Sequence, residues 1–322
     1  MSLSDSAIFC TVFDQRYLSR GLVMVESLKP HLVLDQKIVI LALDFETCNF
    51  LRGRFFNQDS VEVISFQDLP EVDFWAIRNS RTYKEFCWAL GSVLSNVLLV
   101  KENKMTVYVD ADTCFFSSPQ NLLALCSTAN ASITPHRFPK RLMSLEVNGK
   151  YNVGWVSFTP TSTGIAISHS WRKDCEESTA YNARDGVVGD QKYLDKWLEK
   201  YSGVLVLNDP GVNAAPWNHE AHDIIQKDGE WFVDDVSLVF FHFHGFQTLP
   251  DGLVSPVSTL YRMVKDIPVH LYSHYYSLLL SAEQNIVSWA NVPIARRIKL
   301  KRPSRLSALV SLFIPYVKRL IR

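Results

Sequence analysis

No stretch of this chain is apolar over the roughly 20 residues that a membrane-spanning helix requires. The first residues show neither the positive segment nor the long apolar segment of a secretory signal. Six cysteines occur singly, without a CxxC pair and without the density of a secreted disulfide scaffold. These absences predict a reducing compartment, which we expect to be the cytoplasm.

Acidic residues are also absent from the C-terminal region: none follows Glu283, although nine lysines and arginines do. The formal net charge of the 322 residues is zero, so the preceding residues carry the compensating negative charge. With 47% hydrophobic residues the chain can bury a substantial core. We expect one large domain over residues 1–254 and a helical extension over 255–322 that ends in a basic segment.

What the chain does contain is an alternation of short apolar runs with helical patterns. Such an alternation predicts an α/β fold with an open, mostly parallel central sheet flanked by helices. The predicted strands are Ala7–Phe13, Lys37–Leu43, Val61–Phe66, Met105–Val109, Val153–Phe158 and Leu238–Phe243. The predicted helices are Arg16–Leu28, Arg81–Leu98, His169–Glu177, Asp190–Lys200 and residues 255–291.

Two carboxylates follow the fourth predicted strand, in the sequence Asp110-Ala111-Asp112. Open α/β sheets bind ligands outside the carboxyl ends of their strands, so this pair is predicted to lie at a binding site. There the pair can hold a divalent cation that bridges a nucleotide diphosphate. A solvated turn or a helix cap would use the same residues, and the pair alone does not decide between these interpretations.

Two histidines supply further candidate ligands late in the chain. On a strand, His242 and His244 would point to the same face, and either would complete a Mn²⁺ or Mg²⁺ site with the aspartates. A pair of hydrogen-bonded core histidines is the alternative. Together, the two signals favour a metal site.

Six motifs follow one another along the chain: Thr11-Val12-Phe13 with Tyr17, Lys84-x-x-Cys87-Trp88, Asp110-Ala111-Asp112, Tyr151-Asn152-Val153-Gly154, Gly189-Asp190-Gln191 and His242-Phe243-His244-Gly245. Their order resembles that of glycosyltransferases with the GT-A fold, and among them the glycogenin-like, generally retaining enzymes. The resemblance covers about residues 7–250. It implies a Rossmann-like sheet and transfer of a sugar from a nucleoside diphosphate, with uracil as the implied base.

The resemblance also implies roles for single residues. The implied ligands of Mn²⁺ or Mg²⁺ are Asp110, Asp112 and His242, with His244 as a spare or outer ligand. The implied donor contacts are Thr11, Val12, Phe13, Tyr17, Arg81, Lys84, Asp110, Ala111 and Asp112. The implied catalytic residues are Asn152, Asp190 and Gln191, and the acceptor-side candidates are Gly154, Asn213 and Trp217. Structural roles compete for several of them: helix-start packing for Tyr17, a solvated surface position for Lys84, a helix cap for Asp190, and turns for Asn152 and Trp217.

The chain departs from the family after Gly245. The family usually has a lysine and a Pro-Trp pair there that clamp the diphosphate, whereas residues 246–250 contain no lysine. Lys84, Arg81 or the C-terminal region would then supply the clamp. The departure leaves two mechanisms open: retention, with the leaving phosphate accepting the acceptor's proton, and inversion, with Asp190 as general base.

The C-terminal residues 304–322 combine basic residues with apolar residues at roughly helical spacing, interrupted at Pro315. This pattern predicts an interfacial helix on an anionic membrane surface, which would suit a lipid-linked acceptor. A tail that docks on its own domain or on a partner is the alternative. The globular part has no basic and aromatic nucleic-acid motif, so no nucleic-acid partner is expected.

The sequence thus predicts a metal-dependent glycosyltransferase that uses a saccharide or glycolipid acceptor in cell-surface polysaccharide or lipopolysaccharide-type synthesis. A sugar-phosphate nucleotidyltransferase is disfavoured, because residues 12–16 lack the glycine-rich loop of that class. A metallohydrolase is disfavoured because its histidine pair normally lies on the first strand. A non-catalytic partner in a membrane assembly is the fourth alternative.

Overall fold

The computed structural model describes residues 2–33, 35–79, 81–180, 189–248, 254–261 and 265–290. The strands are Ile8–Phe13 (β1), Lys37–Ala42 (β2), Val61–Ile64 (β3), Thr106–Val109 (β4), Thr113–Phe115 (β5), Ala131–Pro135 (β6), Tyr151–Phe158 (β7), Val204–Val206 (β8), Ile224–Lys227 (β9), Glu230–Val233 (β10), Val236–Ser237 (β11), Phe240–His242 (β12), Gln247–Thr248 (β13) and Val254–Ser255 (β14).

The α-helices are Leu18–Leu28 (α1), Phe45–Arg54 (α2), Phe74–Arg78 (α3), Tyr83–Glu102 (α4), Gln120–Cys126 (α5), Ser162–Glu177 (α6), Trp197–Lys200 (α7) and Val269–Ala290 (α8). The 3₁₀ segments are Leu3–Ser6, Lys29–His31, Phe66–Asp68, Lys140–Asn148, Gln191–Lys196, His219–Ala221 and Thr259–Tyr261.

A seven-stranded sheet organises these elements, in the order β3-β2-β1-β4-β7-β6-β8. Strands β3, β2, β1 and β4 pair in parallel, as do β6 and β8, whereas β7 is antiparallel to both of its neighbours. The predicted open, mostly parallel α/β sheet is therefore confirmed. Because β1 to β4 run the same way, their carboxyl ends lie at one edge.

Both faces of this sheet are buried, which explains why its strands are continuously apolar. On β1 and β2, Phe9 and Ile38 contribute to the core under α1, α2 and α8, while Ile8 and Val39 contribute to the core under α4 and α6. The alternation follows from side chains that point to opposite faces along a strand. Helix α8 contributes Tyr275 and its neighbours to the first core, so the helical extension packs on the same sheet.

A two-stranded ribbon lies beside the main sheet and joins distant parts of the chain. Strand β5 follows the Asp110–Asp112 turn directly, and it pairs antiparallel with β12, with Thr113 opposite His242. The main-chain N–H of Phe243 extends this contact by donating to the Asp112 carbonyl at 2.8 Å. The pairing therefore brings residues 110–113 next to residues 240–243.

Helix α4 begins with a capping box at Thr82. Thr82 Oγ1 accepts a hydrogen bond from the Glu85 N–H at 3.4 Å, and the Glu85 carboxylate accepts one from the Thr82 N–H at 2.8 Å. This capping box satisfies two main-chain donors that the first helical turn leaves unpaired. The cap fixes the start of α4 at Tyr83, so Lys84 lies in the first turn of the helix.

Several predicted elements are wrong in extent. The segment 190–200 is a 3₁₀ turn at Gln191–Lys196 followed by the short helix α7, rather than one helix. The strand predicted over Leu238–Phe243 is shorter and comprises Phe240–His242. The described part of 255–291 becomes α-helical only from Val269.

The basic segment and the amphipathic residues 304–322 lie outside the described residues. Within the described ranges, no helix is both long enough and apolar enough to cross a membrane. All six cysteines are present as free thiols.

Candidate active site

Three potential metal ligands converge at the carboxyl edge of the sheet. Asp110 comes directly after β4, and a turn in which the Thr113 N–H and hydroxyl both bond the Asp110 carbonyl carries the chain into β5. His242 Nε2 lies 2.9 Å from Asp112 Oδ1 and 3.7 Å from Asp110 Oδ2. One ligand atom from each of the three residues lies within 4.8 Å of the others. Among the described residues, this is the group suited to hold a cation.

The charges of these three groups are strongly linked. Burial raises the pKa of Asp110 to about 6, and the neighbouring Asp112 charge adds to this effect. Burial also opposes ionisation of Asp112, yet the charge and hydrogen bond of His242 lower the pKa of this carboxyl. In return, and against its own burial, the aspartates raise the pKa of His242. A divalent cation would displace the shared proton and balance both carboxylates.

The donor set fits the expected metals. Two carboxylates provide the hard oxygen ligands that Mg²⁺ and Mn²⁺ prefer, and a histidine nitrogen is compatible with Mn²⁺. Ala111 between the aspartates is buried in the core below them and anchors the turn. The residues therefore fit a divalent cation at this position.

The side-chain amides beside His242 are oriented by main-chain groups. The Gly154 N–H donates to Asn152 Oδ1 at 2.8 Å. Asn213 Nδ2 donates to the same oxygen at 3.0 Å and to Thr134 Oγ1 at 2.9 Å, so Asn213 turns its own oxygen to His242. That oxygen lies 3.3 Å from His242 Nδ1. Because an amide oxygen only accepts, neutral His242 carries its proton on Nδ1 and leaves Nε2 for a ligand.

Gln191 belongs to the same chain of hydrogen bonds. It accepts from Asn152 Nδ2 at 3.4 Å through Oε1 and donates through Nε2 to the Asn148 carbonyl at 3.0 Å. The predicted catalytic amides Asn152 and Gln191 are thus in contact with each other and, through Asn213, with His242. Amide groups both donate and accept, which suits sugar hydroxyls.

Gly154 is required at its position by close packing. A Cβ atom there would lie 2.7 Å from each of three polar atoms: Asn152 Oδ1, Asn213 Oδ1 and His242 Nδ1. Such separations are shorter than van der Waals contact, so any side chain would push the network apart. Because Gly154 has no side chain, Asn152, Asn213 and His242 can lie together next to it.

Asp190 is buried and faces the same cluster. Burial raises its pKa to about 7, and the Asp110 charge contributes to the shift. The indole N–H of Trp171 holds the Asp190 carbonyl at 3.1 Å. A carboxyl with this pKa can exchange a proton near neutral pH.

A group of aromatic rings encloses the histidines. The Trp217 ring is 2% exposed and lies edge-on to His242 and His244, with ring centres 5.0 and 5.8 Å apart. His244 Nδ1 is 2.6 Å from the Tyr261 hydroxyl, and burial lowers the pKa of His244 to about 4. His244 therefore lies beside the cluster as a neutral ring, and Trp217 packs against the histidines rather than presenting an open face.

The predicted donor-side residues lie at the same edge of the sheet. Thr11 and Phe13 are buried near the end of β1, with Val12 half-buried between them, and Tyr17 follows with 46% of its surface exposed. Lys84 is exposed, its ammonium 4.6 Å from the centre of the Trp88 ring, and its charge reaches His244. An exposed aromatic ring and an exposed cation thus border the acidic pair.

Arg81 occupies a different position. Its Nη2 donates to the carbonyl of Cys175 at 3.2 Å and to that of Glu176, and its Nη1 donates to the Ile77 carbonyl. These carbonyls belong to the C-terminal turns of α6 and to α3, so the guanidinium joins two helices. This contact set departs from the donor-side position predicted for Arg81.

Sequence reasoning missed three residues of the site. Thr134 orients Asn213, Tyr261 bonds His244, and Arg20 donates from Nη2 to the Phe246 carbonyl at 2.7 Å. Arg20 lies three residues after Tyr17, and this helical spacing was a signal available in the sequence. Thr134 and Tyr261 are brought in only by tertiary contacts.

A Rossmann-like sheet with two aspartates and a histidine at its carboxyl edge defines a class of nucleotide-dependent transferases. The chain belongs to the nucleotide-diphospho-sugar transferase family, whose sequence profile matches residues 33–212, more than half of the chain. Its fold is that of GT-A glycosyltransferases.

Similar proteins include one curated relative and two solved glycosyltransferases. YfnD, an uncharacterized protein of Bacillus subtilis (strain 168), is 29% identical over 243 residues, which are 74% of this chain and 77% of YfnD. The glycosyltransferase GlyE of Streptococcus pneumoniae TIGR4 is 15% identical with a TM-score of 0.50, over 88% of this chain and 63% of GlyE. The galactosyltransferase LgtC, solved with donor and acceptor sugar analogs, is 14% identical with a TM-score of 0.51, over 91% of this chain and 100% of LgtC. This chain thus spans less than two thirds of GlyE, and the two structural likenesses concern the fold.

Proposed function

We propose that this protein transfers a hexose from a uridine diphosphate donor to a saccharide or lipid-linked acceptor, in a reaction that depends on Mn²⁺ or Mg²⁺. The observation that carries the proposal is the group of Asp110, Asp112 and His242 within 4.8 Å, at the carboxyl edge of a nucleotide-diphospho-sugar transferase sheet. A cation bound there would neutralise charge that develops on the departing diphosphate.

The surrounding residues would each hold one part of the substrates. Tyr17 exposes a ring on which a nucleobase can stack, and Lys84 provides a positive charge for phosphate. Asn152 and Gln191 would bind sugar hydroxyls through their amides, with orientations supported by the Gly154 N–H and the Asn148 carbonyl. Because hydrogen bonds within the protein already hold these groups in place, little free energy is needed to organise them during the reaction.

The stereochemical proposal is retention of the anomeric configuration. In that case an oxygen of the departing phosphate would accept the acceptor's proton on the same face of the sugar. The buried carboxyl of Asp190 would then orient the donor sugar rather than act as a base. Inversion is the competing outcome, and it would require Asp190 as an in-line general base.

The proposed setting is cell-surface polysaccharide or lipopolysaccharide-type synthesis at the cytoplasmic face of a membrane. Support comes from the sequence of the basic C-terminal segment, which suits an anionic lipid surface. Attachment there would bring the site to a lipid-linked acceptor.

A donor screen tests the proposal. Purified protein with Mn²⁺ is incubated with a panel of nucleotide sugars and a mixture of saccharide and lipid acceptors, and the released phosphate species are identified. Release of uridine diphosphate supports a glycosyltransferase. A second incubation contains nucleoside triphosphates and sugar phosphates instead, and release of pyrophosphate there indicates a nucleotidyltransferase. Thermal shift is measured with the same donors, and no donor-dependent stabilisation with any uridine or guanosine diphosphate sugar would refute the proposal. The anomeric signal of the product, read by NMR, decides between retention and inversion.

A further inference from the structure

Arg20 is held in place by contacts with Tyr17, Phe246 and Arg16. Its guanidinium lies over the Tyr17 ring, with the central carbon 5.2 Å from the ring centre. Its Nη2 donates to the Phe246 carbonyl at 2.7 Å, and its Nη1 makes a long contact of 3.5 Å with the Arg16 carbonyl. A guanidinium has five N–H donors, so three remain for another partner.

The loop that holds Arg20 also reaches the acidic pair. The Phe243 N–H donates to the Asp112 carbonyl at 2.8 Å, and the Phe246 N–H donates to the Phe243 carbonyl at 3.0 Å. The Phe243 ring stacks on Tyr275 of α8 with ring centres 3.7 Å apart, and Phe246 meets the same tyrosine edge-on at 5.3 Å. These aromatic contacts support the loop, whose Phe246 carbonyl holds the Arg20 guanidinium beside Tyr17.

Arg20 also differs from other arginines of this region in its charge partners. Arg16 pairs with Asp14 at 2.7 Å, and Arg54 pairs with Glu26 at 2.7 Å. Within the described ranges, Arg20 forms no ion pair with a carboxylate. Its positive charge nevertheless helps to lower the pKa of Asp112.

A nucleotide-sugar donor brings its own charge to this position. At neutral pH its diphosphate carries two negative charges, and the charge of a divalent cation is already balanced by Asp110 and Asp112. The loop from Gly245 to Thr248 has no basic side chain. The negative charge of the diphosphate must therefore be met by basic side chains from other elements.

We infer that Arg20 binds the phosphates of the nucleoside diphosphate, donating its free N–H groups to phosphate oxygens while the Phe246 carbonyl holds the guanidinium in place. The planar donor fork of arginine matches phosphate geometry, and a charge-assisted pair of this kind is among the strong hydrogen bonds. This assignment rests on the proposed function and names a donor-binding residue for it. Tyr17 would then bind the base and Arg20 the phosphates, from neighbouring positions on one helical face.

The test compares binding of uridine, uridine monophosphate and uridine diphosphate in the presence of Mn²⁺. The variants are Arg20→Gln, which removes the charge and shortens the side chain, and Arg20→Lys, which keeps the charge without the fork. Arg54→Gln, on α2 and paired with Glu26, is the matched control. Affinity for uridine diphosphate is measured by calorimetry, and affinity for uridine and uridine monophosphate by NMR titration.

The expected result is a loss of affinity for uridine diphosphate of roughly ten- to hundredfold in Arg20→Gln, with a smaller loss in Arg20→Lys. Affinity for uridine should stay within about twofold, since a phosphate contact is absent from the nucleoside. If affinity for the monophosphate falls in parallel, Arg20 contacts the phosphate next to the ribose. If only affinity for the diphosphate falls, Arg20 contacts the outer phosphate.

Equal losses for uridine and its diphosphate would overturn the inference, because they would show that Arg20 only supports Tyr17. Unchanged binding of the diphosphate in both variants would overturn it as well. If the proposed function itself is wrong, the unmodified protein binds neither uridine diphosphate nor guanosine diphosphate in the presence of Mn²⁺. If guanosine diphosphate is preferred, the same series is measured with guanosine ligands.

Discussion

The amide oxygen of Asn213 lies 3.3 Å from Nδ1 of His242, and the other end of that amide is held by Asn152 and Thr134. This arrangement sets the ring so that Nε2 points to the aspartates. Outer partners of metal-binding histidines commonly tune affinity by fixing the tautomer and the ring orientation. The relationship therefore links the candidate metal site to the amides that would bind sugar.

Replacing Asn213 by alanine should weaken Mn²⁺ binding by roughly 10- to 100-fold, because Nδ1 loses its acceptor and the ring is free to change tautomer. Calorimetric titration with Mn²⁺ measures this directly. Asn96→Ala is the control: Asn96 is also buried and donates to Ser168 Oγ at 3.0 Å, far along the chain from the site. Equal Mn²⁺ affinity in Asn213→Ala and Asn96→Ala would contradict the proposed role.

The substitution Gly154→Ala should abolish transfer and lower the free energy of unfolding by about 1–3 kcal/mol. The new methyl group would sit 2.7 Å from the polar atoms of Asn152, Asn213 and His242, so the network must shift. Gly164→Ala is a matched control, since its Cβ would crowd the Thr159 carbonyl at 2.2 Å in a different part of the fold. Both variants should lose stability in chemical denaturation, while only Gly154→Ala should lose Mn²⁺ binding.

Asp190→Asn should stabilise the metal-free protein at alkaline pH. The pKa of Asp190 is raised from 3.8 to about 7, so folding takes up a proton between these values, and stability falls as the pH rises through that window. Asparagine imitates the protonated acid and removes the penalty, which is on the order of 4 kcal/mol above the folded pKa. Urea unfolding with a chelator should show a gain at pH 8 that shrinks toward pH 4. The exposed substitution Asp228→Asn should change stability by less than about 0.5 kcal/mol, and a pH-independent effect of Asp190→Asn would refute the account.

Asp112→Ala should remove the Mn²⁺ dependence of nucleotide binding while the fold persists. The carboxylate is the partner that His242 holds at 2.9 Å, and its loss takes away one ligand of a site that has three in the described part of the chain. Thermal shifts with uridine diphosphate, with and without Mn²⁺, provide the measurement. Asp223→Ala, an exposed aspartate paired with Lys265, should keep the dependence. Retention of the Mn²⁺ effect in Asp112→Ala would exclude the metal assignment.

Deleting residues 303–322 should release the protein from vesicles that contain anionic lipid. The removed basic residues each contribute roughly 1 kcal/mol near an anionic surface. Co-sedimentation with vesicles at low and high salt is the measurement, and neutral vesicles are the control. Continued binding after the deletion would show that another surface attaches the protein.

Much of the sheet could be predicted from sequence, because strand periodicity is local. The strands predicted around Ile8, Lys37, Val61 and Thr106 occur with boundaries shifted by one or two residues, and Asp110 lies at the expected edge. The strands β6 and β8 were not predicted. They gain stability from pairing with each other and, for β6, with β7, and a short run reveals little of such long-range contacts.

The site was predicted less completely. Alternation along a strand placed His242 and His244 on one face, but β12 ends at His242, and His244 turns to Tyr261. The helical register placed Arg81 near Lys84, yet its guanidinium binds the ends of other helices. A side chain's final partner depends on segments that are distant in sequence, which a local pattern does not contain.

The sequence by itself determined the α/β class, the strand that ends in Asp110-Ala111-Asp112, and the residue types that suit a divalent cation and a nucleotide sugar. These follow from local periodicity and from side-chain chemistry. Only the tertiary structure decided how closely His242 approaches the aspartates, which acceptor faces its Nδ1 and which arginine lies over the Tyr17 ring. The reason is physical: the β5–β12 pairing and the amide chain from Gly154 to His242 join segments separated by many residues, so these distances exist only in the folded chain.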